Sequence, residues 1–106
     1  MRVELLYFDG CPSYLLAEER LRQIIAERGL NTDIGMVRVE TDEDAHRLRF
    51  PGSPTIRVDG RDLFPTGEER DGALSCRIYT TPEGLAGAPT VGMIRQALGR
   101  GAKVDT

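Results

Sequence analysis

The stretch from Val3 to Gly29 constrains the fold most. VELLYF carries apolar side chains on both faces, with β-branched and aromatic members among them. Such a run predicts a central strand covered on both sides. Asp9-Gly10 ends it as a turn. Cys11-Pro12 follows, and then SYLLAEERLRQIIAERG, an amphipathic helix. Leu15, Leu16, Leu21, Ile24 and Ile25 are expected on its buried face, opposite Glu18, Glu19, Arg22 and Glu27. Pro12 suits the first helical position, where its missing N–H costs nothing. Cys11 is thereby placed at or next to the helix cap, and Gly29 is a natural left-handed stop.

The remaining sequence extends this unit. DIGMVRVE, Asp33 to Glu40, reads as a second strand with Val37 and Val39 alternating against Arg38 and Glu40. Thr41 with Asp44 resembles a capping box and opens a short helix with Ala45 and Leu48 inward. Phe50-Pro51-Gly52-Ser53-Pro54 breaks that helix. Thr55 to Val58 is a third strand, Asp59-Gly60 a hairpin turn, and Arg61 to Phe64 the antiparallel return. Pro65 to Gly72 is expected to be a mobile loop, Leu74 to Thr80 a short extra strand, and Thr81 to Gly87 a turn region. Pro89 can start a last helix with Val91, Ile94, Ala97 and Leu98 inward, ended by Gly99 and Gly101. The expectation is one α/β domain over residues 1–101, a small mixed sheet with helices on both faces, and a frayed tail over 102–106.

With 106 residues, a second independent core is excluded. The net charge of −3 argues against nucleic acid as a partner, because phosphate binding calls for a basic face. No apolar run reaches the roughly 18–20 residues of a membrane helix. Glu4 and Asp9 interrupt the N-terminal apolar stretch, so it does not read as a signal peptide, and a cytoplasmic location is expected. The edge strand near residues 61–64 leaves a monomer or a weak dimer open.

The chemistry lies with Cys11, Cys76 and their neighbours. Two cysteines and one histidine cannot close a four-ligand zinc site without carboxylates, so neither metal nor cofactor is expected. A cytosolic chain does not call for a structural disulfide. The cysteines are then either inert buried side chains or reactive ones. Cys11 follows a buried strand and precedes a helix, whose N-terminal partial charge and free N–H groups favour thiolate. Asp9 would raise the thiol pKa if it stood close. Cys76 reads either as a core position of a short strand or as a resolving cysteine. Arg77 reads either as a solvated side chain or as a thiolate partner. His46 falls in a charged helix and reads as a surface residue. The acidic run at 41–44 caps that helix rather than holding calcium, which needs more oxygens at fixed spacing.

Strand, Cys-Pro-x-x, long helix, then β-α and Ser-Pro-Thr before a hairpin resembles the thioredoxin fold. The strings VELLYFDGCP, GSPTIRVDGRDLF and LSCRIYTTPEGLAGAPT are similar to a group of small bacterial thioredoxin-like proteins. That group includes "DF" (seleno)proteins and is sometimes labelled alkylmercury lyase by association. The resemblance implies that Cys11 is the active-site cysteine and that Pro54 is a cis-proline beside it. It implies that Pro12, Ser53, Pro54 and Thr55 contact a substrate backbone. The second motif cysteine is absent: Tyr14 stands there, giving CPSY. The implied function is thiol-dependent redox chemistry, a thiol–disulfide oxidoreductase if it is an enzyme. Cys11 would be the nucleophile, resolved by Cys76 or an external thiol, with protein or low-molecular-weight thiols and disulfides as partners. The alternatives are a non-enzymatic scaffold domain and soft-metal or organomercurial handling through Cys11, Cys76 and Asp9.

Overall fold

A computed structural model of the chain describes residues 1–65 and 74–103. The elements in order are β1 (Val3–Tyr7), α1 (Ser13–Glu27), β2 (Ile34–Arg38), α2 (Asp42–Arg47), β3 (Thr55–Val58), β4 (Arg61–Asp62), β5 (Tyr79–Thr81), β6 (Gly84–Ala86) and α3 (Val91–Lys103). Four strands form a mixed sheet in the order β2-β1-β3-β4, and β5 pairs with β6 in a separate ribbon. β1 runs parallel to β2, with Leu5 opposite Met36, and antiparallel to β3, with Leu5 opposite Ile56. β3 and β4 close the Asp59-Gly60 hairpin.

β1 is central because both of its faces have cover. Val3 and Leu5, with Ile56 of β3, pack against Ala17, Leu21 and Ile24 of α1 and Ile94 and Leu98 of α3. Leu6, on the opposite side, packs with Val39, Phe50 and Ala45 of α2. Helices therefore cover both faces of a small mixed α/β sheet. Thr41 caps α2 by accepting the Asp44 N–H at 3.0 Å. Thr90 does the same for α3, accepting from Met93 at 3.1 Å. No helix among the described residues is long and apolar enough to cross a membrane.

Several boundaries and faces differ from those read in the sequence. Leu15 and Leu16 are 56% and 42% exposed, not buried. The inward stripe of α1 is Ala17, Leu21 and Ile24, and at about 100° per residue a stripe in that phase swings positions 15 and 16 outward. Gly99 and Gly101 do not end the last helix, which continues to Lys103. Gly99 is a close-approach position instead: a Cβ there would lie 3.1 Å from the Arg28 guanidinium, which donates to the Arg95 carbonyl at 2.9 Å. The return strand β4 has two residues, after which the Phe64 N–H turns back onto the Asp62 carboxylate at 2.8 Å. Residues 81–87 are not all turn. Gly84–Ala86 pairs with Tyr79–Thr81, because the Thr81 hydroxyl closes a tight hairpin by accepting from the Glu83 N–H and donating to the Gly84 carbonyl. Most of the expected loop, 66–72, and the end of the expected tail, 104–106, lie outside the described residues.

Candidate functional site

The site forms where the end of β1, the start of α1 and the segment before β5 converge. The Cys11 N–H donates to the Phe8 carbonyl at 3.2 Å and closes the Asp9-Gly10 turn. A Cβ at Gly10 would stand 2.3 Å from the Phe8 ring, so a larger residue there calls for that ring to move. Cys11 is only 4% exposed. Pro12 is the N-cap of α1, no side chain caps this helix, and its first turn holds no acidic residue. Cys11 directly precedes this cap, so it adjoins the partial positive charge of a helix start whose own first turn supplies no competing anion. Tyr14, three residues after Cys11, stacks on Tyr7 with ring centroids 4.2 Å apart.

Opposite this, the chain from Ser75 to Arg77 runs alongside Ser53. The Ser53 N–H donates to the Ser75 carbonyl and the Arg77 N–H to the Ser53 carbonyl, each at 2.8 Å. The two segments are parallel, with Ser53 opposite Cys76. Gly52 permits this approach: its φ is +136°, and a Cβ would meet the Arg77 Cβ at 2.9 Å. The Ser53–Pro54 peptide bond is cis. The Ser53 hydroxyl accepts from the Phe8 N–H at 3.2 Å, which ties this junction to the end of β1.

This pairing joins the two cysteines. Cys11 and Cys76, 65 residues apart in sequence, form a disulfide with Cα atoms 5.8 Å apart, within the usual span of such a bond. Cys76 is exposed. From residue 76 onward the segment alternates: Cys76, Ile78 and Thr80 face outward, while Arg77, Tyr79 and Thr81 face in. The expectation of a core Cys76 is thereby corrected, as is that of a solvated Arg77.

The inward side chains form a buried polar anchor. The Arg77 guanidinium pairs with Asp62 at 2.8 Å and donates to the Thr55 hydroxyl at 3.2 Å and to the Phe64 carbonyl. It also lies over the Tyr79 ring, 4.6 Å from its centroid. The Thr55 hydroxyl in turn donates to the Gly52 carbonyl at 2.6 Å. The Tyr79 hydroxyl donates to the Pro54 carbonyl at 2.6 Å. Burial pushes the Tyr79 phenol well above its ordinary pKa; the nearby Arg77 charge works against that rise, and Asp62 adds a little to it.

The sequence-derived site residues therefore divide. Cys11, Cys76 and Ser53 meet directly, and Pro12 borders them at the helix cap. Pro54 and Thr55 hold the anchor through the Pro54 carbonyl and the Thr55 hydroxyl. Arg77 is engaged by Asp62, Thr55 and Phe64. The Asp9 carboxylate lies 2.6 Å from the Arg38 guanidinium, so its charge is offset outside the pair. His46 is exposed on α2. Sequence reasoning missed Gly52, Asp62 and Tyr79. The available signal was the polar stripe Arg77, Tyr79, Thr81 at alternate positions, which marks an inward face lined by polar groups. Among the described residues, no group of three or more His, Cys, Asp or Glu side chains could hold a metal ion. No family model, no curated protein and no solved structure matches the chain.

Proposed function

We propose that this protein is a thioredoxin-like thiol–disulfide redox protein working through Cys11 and Cys76. The observation that carries the reading is the disulfide between these residues, which lie 65 apart in sequence and have Cα atoms 5.8 Å apart. Two features of the site support it. One sulfur belongs to a residue at an uncapped helix start, where thiolate is favoured. The other belongs to an exposed residue that a partner can approach. The strand, Cys-Pro and helix arrangement around Cys11 is in keeping with the thioredoxin-like resemblance.

The reaction is exchange. Two protein thiols become a disulfide while a partner disulfide, R–S–S–R, takes up the two electrons and two protons and leaves as thiols. The reverse oxidises partner thiols. The test is incubation of the reduced protein with oxidised glutathione, followed by intact and peptide mass spectrometry. The expected result is closure of the Cys11–Cys76 bond with release of about two glutathione thiols per chain. A disulfide that also resists millimolar reduced glutathione would mark it as a structural cross-link and favour the scaffold alternative.

A further inference from the structure

The two sulfurs stand in unequal surroundings, and this inequality sets the order of events. We infer that Cys76, not Cys11, carries the bond to the partner, and that Cys11 is the internal thiolate that is released and returns. This assignment rests on the redox reading above and reverses the order expected from the sequence. Cys11 is nearly closed off from solvent, while Cys76 is exposed on the outward row with Ile78 and Thr80. A partner thiolate must reach the sulfur it attacks in line with the S–S bond, so it meets the exposed residue.

The electrostatics point the same way. Attack on one sulfur of a disulfide expels the other as thiolate, and the better-stabilised thiolate leaves faster. Cys11 is the sulfur beside a helix start that carries no side-chain cap and no first-turn acid. The nearest carboxylate in sequence, Asp9, is engaged by Arg38 at 2.6 Å. The opening step is then R–S⁻ attacking the Cys76 sulfur, forming Cys76–S–S–R and freeing the Cys11 thiolate. In the reducing direction the Cys76 thiolate attacks R–S–S–R and expels R–S⁻. Cys11 then attacks the Cys76 sulfur, closes the internal bond and expels the second R–S⁻. The backbone bonds of Ser75 and Arg77 to Ser53 hold Cys76 next to Cys11 throughout.

The test uses the wild-type oxidised protein, so no variant has to fold. It is mixed with reduced glutathione, acid-quenched on the millisecond to second scale, alkylated under denaturing conditions and mapped by peptide mass spectrometry. The expected early product carries glutathione on Cys76 and alkyl on Cys11, in excess over the reverse adduct by at least about tenfold. Glutathione mainly on Cys11, or equal labelling of both, overturns the assignment while leaving the redox reading standing. If glutathione neither adds to the pair nor opens it, both fall.

Discussion

β1 and β3 are hydrogen-bonded neighbours whose facing side chains, Leu5 and Ile56, have no solvent exposure and pack in the apolar cluster with α1 and α3. The strip from Ser75 to Thr81 is attached differently. Its inward residues are Arg77, Tyr79 and Thr81, held by an ion pair, hydroxyl bonds and backbone bonds to Ser53, with the disulfide on its outer side. The first region gains from removing apolar surface from water, which is non-directional and tolerant of small movements. The second gains from directional bonds that hold only in one register. A site that must open and close one covalent bond without losing its alignment is served by the second kind of attachment. Cys11 itself is placed by the bond of its N–H to the Phe8 carbonyl, just past the end of β1.

The largest effect expected from this contrast is that of reduction. Cutting a cross-link between residues 65 apart frees the unfolded chain and should lower stability by about 4 kcal/mol on the chain-entropy estimate. Urea titration of oxidised and reduced protein measures it. A loss under about 1 kcal/mol would mean that the reduced unfolded chain keeps these residues together. Next comes the apolar core. Leu21→Ala removes a fully buried side chain between the sheet and α3 and should cost about 3 kcal/mol. The cost should be the same in both redox states, since Leu21 belongs to the apolar cluster, which includes neither cysteine. A cost that changes with redox state would break the separation of the two regions.

These regions were also unequally legible in the sequence. In the first, apolar periodicity and breakers carry the information: VELLYF is the central strand, Thr41 caps α2, and Asp59-Gly60 turns the hairpin. The phase at the start of α1 misled, because Ala17 rather than Leu15 or Leu16 faces the core, and so did the glycines of α3, which continues to Lys103. In the strip, apolarity pointed the wrong way. Leu74, Cys76 and Ile78 alternate as a hydrophobic face would, yet Cys76 and Ile78 face outward. A strand shifted by one residue exchanges its two faces, and here the polar partners Asp62, Thr55 and the Pro54 carbonyl decide which face goes in. Those partners lie 15 to 25 residues away in sequence, so the local pattern offers the polar stripe but not the groups it meets. The junction of Cys76 with Ser53 was hidden for the same reason, while the placement of Cys11 between β1 and α1 followed from local sequence.

Arg77→Met sharpens the contrast. It keeps the aliphatic stem and removes the bonds to Asp62, Thr55 and the Phe64 carbonyl. Asp62 stays 20% exposed and recovers some hydration, so the expected global cost is about 2 kcal/mol, less than that of Leu21→Ala. The local effect should be larger in the reduced protein, where the disulfide no longer holds the strip. Amide exchange at Ser53 and Arg77 reads this directly. Unchanged protection at both amides in the reduced variant would mean that the backbone bonds alone keep the strip in register.

Tyr79→Phe gives the smallest effect and one with a definite pH signature. Removing the hydroxyl deprives the Pro54 carbonyl of its 2.6 Å donor and should cost about 1 kcal/mol near neutral pH. The folded protein holds the Tyr79 proton above its ordinary pKa of 10.0, mainly because burial disfavours phenolate. Above about pH 10 an unfolded tyrosine gives up its proton while the folded one keeps it, so the native state binds more protons and stability falls as pH rises. The stabilisation is complete below the unfolded pKa and is lost on the alkaline side, with a slope approaching about 1.4 kcal/mol per pH unit from this one group. The phenylalanine variant lacks that slope. Other tyrosines contribute equally to both proteins, so the difference between them isolates residue 79. The wild type should be the more stable near neutrality, and its margin over the variant should shrink as the pH passes 10. A margin that stays constant from pH 8 to 11 would show that the Tyr79 proton is no better held in the fold than in the unfolded chain.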